Sequence, residues 1–154
     1  FWEVVEKLDL DNRTHSWDWF RESWGDIFSP APEEVLGVLK KVDTQVRLCL
    51  ASNTEELHWP YISTLETVRY IQRRPRSKLF KSYEMEFEKP DPRFFGYALG
   101  VLGLKPEQVL FIDDLKENAD AFAELGGQAA VFNLQTDSAA LLSALLKEHR
   151  VLLT

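Results

Sequence analysis

The sequence contains very little cysteine, and this scarcity excludes one class of fold. Cys49 is the single cysteine among 154 residues, so no disulfide can form within the chain and a disulfide-stabilised secreted domain is excluded. Its neighbours from Val46 to Leu50 are mostly apolar, which predicts a buried structural thiol rather than a nucleophile. This pattern favours a reducing, cytoplasmic location.

Long apolar runs and excess positive charge are also missing. No segment approaches the roughly 18 consecutive apolar residues of a membrane-spanning helix, and the first residues have neither the basic nor the apolar region of a secretory signal. The formal charge is -7, whereas nucleic-acid binding normally requires a basic surface. We therefore expect neither a membrane nor a nucleic acid as partner.

One short segment does concentrate basic residues. It contains Arg73, Arg74, Arg76 and Lys78, and Pro75 interrupts it. Such a run most often forms a solvated surface, so we predict an exposed segment. A local contact with an anion or a partner is the less favoured interpretation.

The apolar residues alternate between helical and strand patterns along most of the chain. Helical spacing predicts helices near 32–42, 55–62, 65–72, 94–102, 119–125 and 138–148, whereas short apolar runs predict strands at 46–50, 109–112 and 129–132. Strands that alternate with helices predict an α/β fold with a mainly parallel sheet. The length fits one domain with a single core.

The first 28 residues form a small region rich in aromatic residues. Phe1, Val4, Val5 and Leu8 recur at helical spacing, and tryptophans continue a similar pattern further on. Trp17, Trp19 and Trp24 either belong to a core or line a substrate pocket; the core is the more frequent role of such a stripe.

Three polar clusters follow strands or enter loops: Ser52-Asn53-Thr54, Lys89, and Asp113-Asp114. In an open α/β sheet, ligands bind at the carboxyl ends of strands, so these clusters are expected to converge. A hydroxyl and a lysine bind phosphate oxygens, and paired carboxylates bind a hard cation such as Mg²⁺. Together they predict phosphoryl-transfer chemistry.

Three segments resemble, in order, the second, third and fourth motifs of the haloacid dehalogenase (HAD) superfamily. They are Leu48–Thr54, Glu88–Phe95, and Val109–Asp114 with the following Glu117-Asn118. The resemblance covers about residues 32–133. It implies a Rossmann-like three-layer parallel sheet at 31–154, preceded at 1–30 by the remnant of a helical cap.

The resemblance also implies a role for each site residue. Ser52 would bind the transferring phosphate, Asn53 would orient it, and Lys89 would neutralise it. Asp113 would ligate magnesium, and Asp114 would support the metal or Lys89. The implied partner is a small phosphorylated metabolite, and the implied cofactor is Mg²⁺.

The acidic pair favours one activity within the resemblance. Phosphatases of this superfamily keep Asp113-Asp114, because Mg²⁺ shields the approach of a carboxylate to phosphate, whereas dehalogenases generally lack the pair. We expect a phosphomonoester phosphatase that acts through an aspartyl-phosphate. A catalytically inactive binding or regulatory protein is the alternative, and a 2-haloacid dehalogenase is less favoured.

The attacking aspartate of the superfamily's first motif has no convincing counterpart. Asp9-Leu10-Asp11 matches the Asp-x-Asp pattern of that motif, but the apolar residues before it follow helical spacing. Charged residues lie between them, and these do not suit a buried strand. We therefore expect the core to lack its first strand, which would leave two inner strand edges unpaired. The hypothesis is that the native protein begins further upstream, and that this chain is inactive as it stands.

Overall fold

The structure is a computed structural model that describes residues 30–134 and 136–151. The predictions of a cap remnant, of a loop around Asp9 and Asp11, and of a tryptophan cluster concern residues outside this part. Within it, helices and short parallel strands alternate along the chain. This content confirms the predicted α/β fold class.

The described helices and strands are short. The helices are α1 (Glu33–Lys40), α2 (Trp59–Ile62), α3 (Glu66–Arg73), α4 (Pro92–Leu102), α5 (Lys116–Glu124) and α6 (Ala139–Glu148). The strands are β1 (Leu50–Ser52), β2 (Leu79–Lys81), β3 (Leu110–Asp113) and β4 (Gln128–Val131). None of the described helices is long and apolar enough to cross a bilayer.

The ends of two helices follow from local sequence. The Asp91 carboxylate accepts a hydrogen bond from the Arg93 amide (2.8 Å) and caps α4, and Ser138 caps α6 in the same way. Gly103 ends α4 with a φ of 64°, a left-handed conformation that glycine adopts without steric cost. These ends lie within one or two residues of the predicted ones.

The strands form two separate parallel pairs. Leu50 of β1 lies opposite Leu79 of β2, and Leu110 of β3 lies opposite Gln128 of β4. In the described part of the chain, no strand joins β1 to β3. Each of these two strands therefore keeps one edge without a strand partner among residues 30–134 and 136–151.

Helices cover both faces of the strands, because side chains of successive residues point to opposite faces. One buried cluster contains residues of α1 and α6 with strand residues such as Leu110 and Ile112. The other contains Phe94, Phe95 and Phe122 from α4 and α5, packed against strand residues such as Phe111. The result is the three-layer arrangement that was expected.

The structure corrects several predicted boundaries. The strand expected at 46–50 is found at Leu50–Ser52, and only the end of the helix expected at 55–62 forms, as α2. The strand β2 was not predicted at all, because its sequence Leu79-Phe80-Lys81 is too short to show a period. Cys49 is half-buried rather than fully buried, and burial raises the pKa of its thiol.

The prediction of an exposed basic segment is wrong for Arg74. This side chain is buried and donates to the carbonyl oxygens of Asp43 (2.6 Å) and Val46 (3.0 Å). Arg76 donates to the Gln45 carbonyl oxygen (3.1 Å). Two arginines thus satisfy backbone carbonyl groups of the segment that leads to β1, a contact across about 30 residues that composition does not reveal.

Candidate functional site

The predicted site residues gather where β1 and β3 end. Ser52 is the last residue of β1, Asp113 is the last residue of β3, and Lys89 lies in the loop that precedes α4. Because parallel strands end at the same edge of a sheet, this is where an α/β fold binds ligands.

Lys89 is the residue that links the two strand pairs. Its ammonium group donates to the Ala51 carbonyl oxygen of β1 (3.0 Å) and to Asp113 Oδ2 of β3 (2.6 Å). It also lies 5.7 Å from the centre of the Phe111 ring. An ammonium has three N–H donors, and these contacts use two, so one donor is left for an anion.

Asp113 is held by three donors. Besides Lys89, the Leu115 amide (3.0 Å) and the Asn118 side-chain amide (2.8 Å) donate to its Oδ1 atom. Burial acts to raise the pKa of Asp113, but the hydrogen bonds from Lys89, Asn118 and Leu115 outweigh burial and hold the pKa below its usual value. The carboxylate is therefore charged at neutral pH.

Asn53 holds the backbone of Lys89 rather than a free space. Its side-chain amide donates to the Lys89 carbonyl oxygen (2.7 Å), and its side-chain oxygen accepts from the Lys89 amide (2.9 Å). Both polar groups of Asn53 are thus in use. Its role in orienting phosphate stays a prediction, and what the structure adds is a role in positioning Lys89.

Ser52 and Asp114 are the remaining predicted residues. Ser52 is half-buried at the end of β1, and its hydroxyl has no hydrogen-bond partner among the residues that the structure describes. Asp114 is exposed beside Asp113. Both side chains are accessible at the edge where Lys89 and Asp113 meet, so all five predicted residues lie in one region.

Two further residues support the site and were not predicted to do so. Asn118 is 2% exposed, and its side-chain oxygen has no hydrogen-bond partner in the described part of the chain. The Ser82 hydroxyl accepts from the Thr54 amide and donates to the Thr54 carbonyl oxygen, both at 2.9 Å. The sequence does indicate the role of Asn118, since an amide side chain one helical turn beyond a strand-end aspartate can reach back to that aspartate. Nothing in the sequence indicates the contact of Ser82 with Thr54.

The described residues supply few ligands for a metal. They contain no group of three or more His, Cys, Asp and Glu side chains that could hold an ion. Mg²⁺, however, commonly takes one or two carboxylates from a protein and completes its shell with water and phosphate oxygens. A carboxylate offers about four lone-pair sites, and Asp113 uses three, so Asp113 with Asp114 fits this demand.

Comparison with known proteins identifies the fold. No established protein-family model matches the sequence. An HAD family enzyme of Bacteroides thetaiotaomicron, in complex with magnesium and inorganic phosphate, is 25% identical over 90% of this chain and 69% of that one, with a TM-score of 0.74. A predicted HAD-like family hydrolase of Porphyromonas gingivalis is 20% identical over 94% of this chain and 70% of that one, with a TM-score of 0.70.

A third similar structure comes from the other activity considered above. It is a dehalogenase with an intermediate complex, 21% identical over 73% of this chain and 53% of that one, with a TM-score of 0.55. The chain has the fold of the haloacid dehalogenase superfamily.

Proposed function

We propose that this fold serves Mg²⁺-dependent hydrolysis of a phosphate monoester, through an aspartyl-phosphate, and that the attacking aspartate lies outside the described residues. The observation that carries the proposal is the position of Lys89, whose buried ammonium contacts Ala51 and Asp113 with one donor to spare. The magnesium and phosphate bound by the Bacteroides enzyme support it.

Ser52 and Lys89 would bind the phosphate group together. The Ser52 hydroxyl stands at the end of β1, one residue beyond the Ala51 carbonyl that accepts from Lys89. A hydroxyl donor and a positive charge at this edge suit the oxygens of a phosphate group. Asn53 fixes the Lys89 backbone, so the ammonium is already placed before substrate arrives.

Asp113 and Asp114 would hold the magnesium ion. The ion would supply positive charge that shields the phosphate from an incoming carboxylate. Asp113 is charged because its pKa is low, and Asp114 is exposed to solvent and to substrate oxygens. The small phosphorylated metabolite would therefore lie between Ser52 and Asp114.

Binding of inorganic phosphate to the 154-residue chain in the presence of MgCl₂ tests the site. Lys89→Met should weaken binding by roughly tenfold or more, since a hydrogen bond to a charged group contributes about 1.5–3 kcal/mol. Lys81→Met is the matched control, because Lys81 is half-buried at the end of β2 and is paired with Glu84 instead of Asp113. Equal affinities of the two variants in calorimetry would contradict the proposal.

A second test separates binding from catalysis. Among the described aspartates, only Asp113 and Asp114 come at the end of a strand, and both have other proposed roles. Because Asp9 and Asp11 are also rejected as the attacking pair, on the helical spacing before them, we expect the chain to bind phosphate without hydrolysing p-nitrophenyl phosphate. If a pure preparation does hydrolyse it, and Asp9→Asn or Asp11→Asn abolishes the activity, our rejection of that pair is wrong.

The alternative is a binding or regulatory protein that keeps the fold without catalysis. The direct bond between Lys89 and Asp113 favours it, because the two charges already neutralise each other. The reading frame upstream of the Phe1 codon distinguishes the two candidates. An apolar strand that ends in Asp-x-Asp supports the phosphatase, and its absence supports the binding protein.

A further inference from the structure

Helix α4 is apolar on its outer side as well as on the side that faces the strands. Its inner side belongs to the buried cluster around Phe95. On its outer side, Tyr97 is 51% exposed and Val101 is 46% exposed. No charged residue occurs between Arg93 and Lys105. A surface helix normally carries charged residues outward, and a helix that is apolar all round is normally buried, so this face lacks its cover among residues 30–134 and 136–151.

Two glycines lie on the same outer face. Gly96 and Gly100 are one helical turn apart and exposed, beside Tyr97 and Val101. A Cβ atom at either glycine would meet no described atom within 4 Å, so packing within the described chain does not require them. Glycine is a poor helix former. What the two glycines provide is a shallow depression that a second helix can approach closely, because the distance between packed helices depends on the side chains at their contact.

Arg93 is the single charged residue of α4, and its side chain leaves the outer face free. Its guanidinium group donates to the Asp91 carboxylate (2.6 Å) and lies 4.4 Å from the centre of the Phe87 ring. Both partners precede the helix, so the arginine side chain points back past the start of α4. The surface from Gly96 to Val101 is therefore without charge.

A groove of about 380 Å³ lies beside the start of α4, between that helix and α5. Its apolar wall consists of Pro90, Pro92, Ala121 and Leu125. Glu117, Asp120 and Glu124 carry negative charge at its rim. Asp120 pairs with Lys116, whereas Glu117 and Glu124 form no ion pair within the part of the chain that the structure describes. The groove thus combines apolar surface with uncompensated negative charge.

The other end of α4 carries the opposite charge. Lys105 is exposed, follows the helix end at Gly103 by two residues, and forms no ion pair with any described residue. Helices α4 and α5 both begin next to the bond between Lys89 and Asp113, and Glu117 lies in the first turn of α5. The start of α4 is therefore beside negative charge and its end beside positive charge. Two copies of α4 in antiparallel orientation would bring each Lys105 to the other copy's Glu117.

We propose that the outer face of α4 and the groove beside it form the interface of a symmetric dimer of this chain. The two α4 helices pack antiparallel with their glycines at the contact, which also opposes the two helix dipoles. A second copy is the occupant because one patch supplies the apolar face and both charges, as a two-fold interface requires. The inference goes beyond the proposed hydrolysis and does not depend on it.

The size of the face predicts a weak dimer. An 11-residue helix such as α4 is about 16 Å long and about 10 Å wide, so its outer face covers roughly 160 Å². Each partner of a stable interface buries about 800 Å². The groove beside α5 enlarges the contact, but the total stays at the low end of known interfaces. We therefore expect a dissociation constant in the micromolar range.

Sedimentation velocity of the 154-residue chain, from micromolar to millimolar concentration, tests the dimer. The double variant Gly96→Gln with Gly100→Gln fills the depression and should weaken dimerisation at least tenfold. Because glutamine is a better helix former than glycine, the urea midpoint of this variant should rise at low protein concentration. Gly37→Gln is the matched control, since Gly37 is a glycine of α1 that also faces open space. It should leave the dissociation constant unchanged.

A charge swap tests the antiparallel orientation. Lys105→Glu should weaken the dimer several-fold, since it replaces two attractive contacts with repulsive ones. Adding Glu117→Lys to the same chain should restore most of the affinity, because each contact again joins opposite charges. Lys147→Glu on α6 changes the net charge equally and should have little effect, since Lys147 is exposed away from this face.

Several results would overturn the proposal. A chain that stays monomeric at millimolar concentration would do so, and would leave residues 1–29 or another protein as the cover of the face. A dimer that the glutamine variant leaves unchanged would place the contact elsewhere. A charge-swapped chain that stays as weak as Lys105→Glu would exclude the antiparallel arrangement. If the double glutamine variant fails to fold, Gly100→Gln alone and the charge swap still decide.

Discussion

The side chain of Asn53 and the backbone of Lys89 hold each other by two hydrogen bonds in opposite directions. The amide group donates to the Lys89 carbonyl oxygen (2.7 Å), and the amide oxygen accepts from the Lys89 N–H (2.9 Å). The loop before α4 is thereby tied to the end of β1. Placement of the lysine is a consequence of Asn53, whatever ligand the site binds.

Asn53→Ala should therefore destabilise the fold and loosen Lys89. Loss of two partly buried hydrogen bonds is expected to lower the free energy of unfolding by about 1–3 kcal/mol, measured by urea denaturation. Asn53→Asp keeps the acceptor for the Lys89 amide but loses the donor to the Lys89 carbonyl oxygen. It should therefore also lower the free energy of unfolding. A change below about 0.5 kcal/mol for Asn53→Ala would contradict the positioning role.

Removal of the Lys89 ammonium should leave a buried charge without its ion partner. Lys89→Met is expected to cost about 3 kcal/mol of stability, because Asp113 stays buried and charged. The double variant Lys89→Met with Asp113→Asn should recover part of this loss, since it removes both charges. Additive effects of the two substitutions in a double-mutant cycle would show that the pair is not coupled.

The low pKa of Asp113 predicts a direction for the pH dependence of stability. The folded chain holds this proton less tightly than the unfolded chain, so the stabilisation is present above the unfolded value of 3.8 and is lost as pH falls through the lower folded value. Unfolding in metal-free buffer should therefore become easier below about pH 4. Asp113→Asn should flatten this slope.

A matched substitution checks that this slope belongs to Asp113. Asp120 also pairs with a lysine, Lys116, but both side chains are more than half exposed. Exposed pairs contribute little to stability, so Asp120→Asn should leave the acid slope nearly unchanged. An equal effect of both substitutions would assign the slope to general acid denaturation.

Asn118 should control the charge state of Asp113. Asn118→Ala removes one donor and is expected to raise the pKa of Asp113 slightly. Asn118→Asp replaces the donor with a second negative charge and should raise that pKa further. The ¹³C carboxyl shift of Asp113 followed by NMR titration measures both effects, and an unchanged titration in Asn118→Asp would refute the contact.

The sequence was enough to predict the fold class, and its motifs name residues that the structure brings together at one edge of the strands. Lys89 and Asp113 stand out because each comes at a strand end or before a proline-rich helix entry, which are local signals. Their direct bond is not local, since 24 residues separate them. Asn53 shows what the sequence does not reveal. Its position in the motif suggests a contact with a ligand, whereas its hydrogen-bond partner is the backbone of a residue 36 positions away.

The strand boundaries were harder to predict for a related reason. A strand extends as far as it finds a partner, and the run before Leu50 pairs with no described strand. Arg74 was misassigned because its carbonyl partners lie about 30 residues upstream. Both errors arise where long-range contacts override the local pattern.

Lys89 also gives the site a mechanical character. Its ammonium group donates to both β1 and β3. Separation of the two strand pairs would therefore stretch the hydrogen bonds of the same charged group that would face an anion. An anion that draws the ammonium group away from the Ala51 carbonyl oxygen would in turn weaken the contact between the two strand pairs. Binding of an anion and separation of the two strand pairs would therefore be coupled through Lys89.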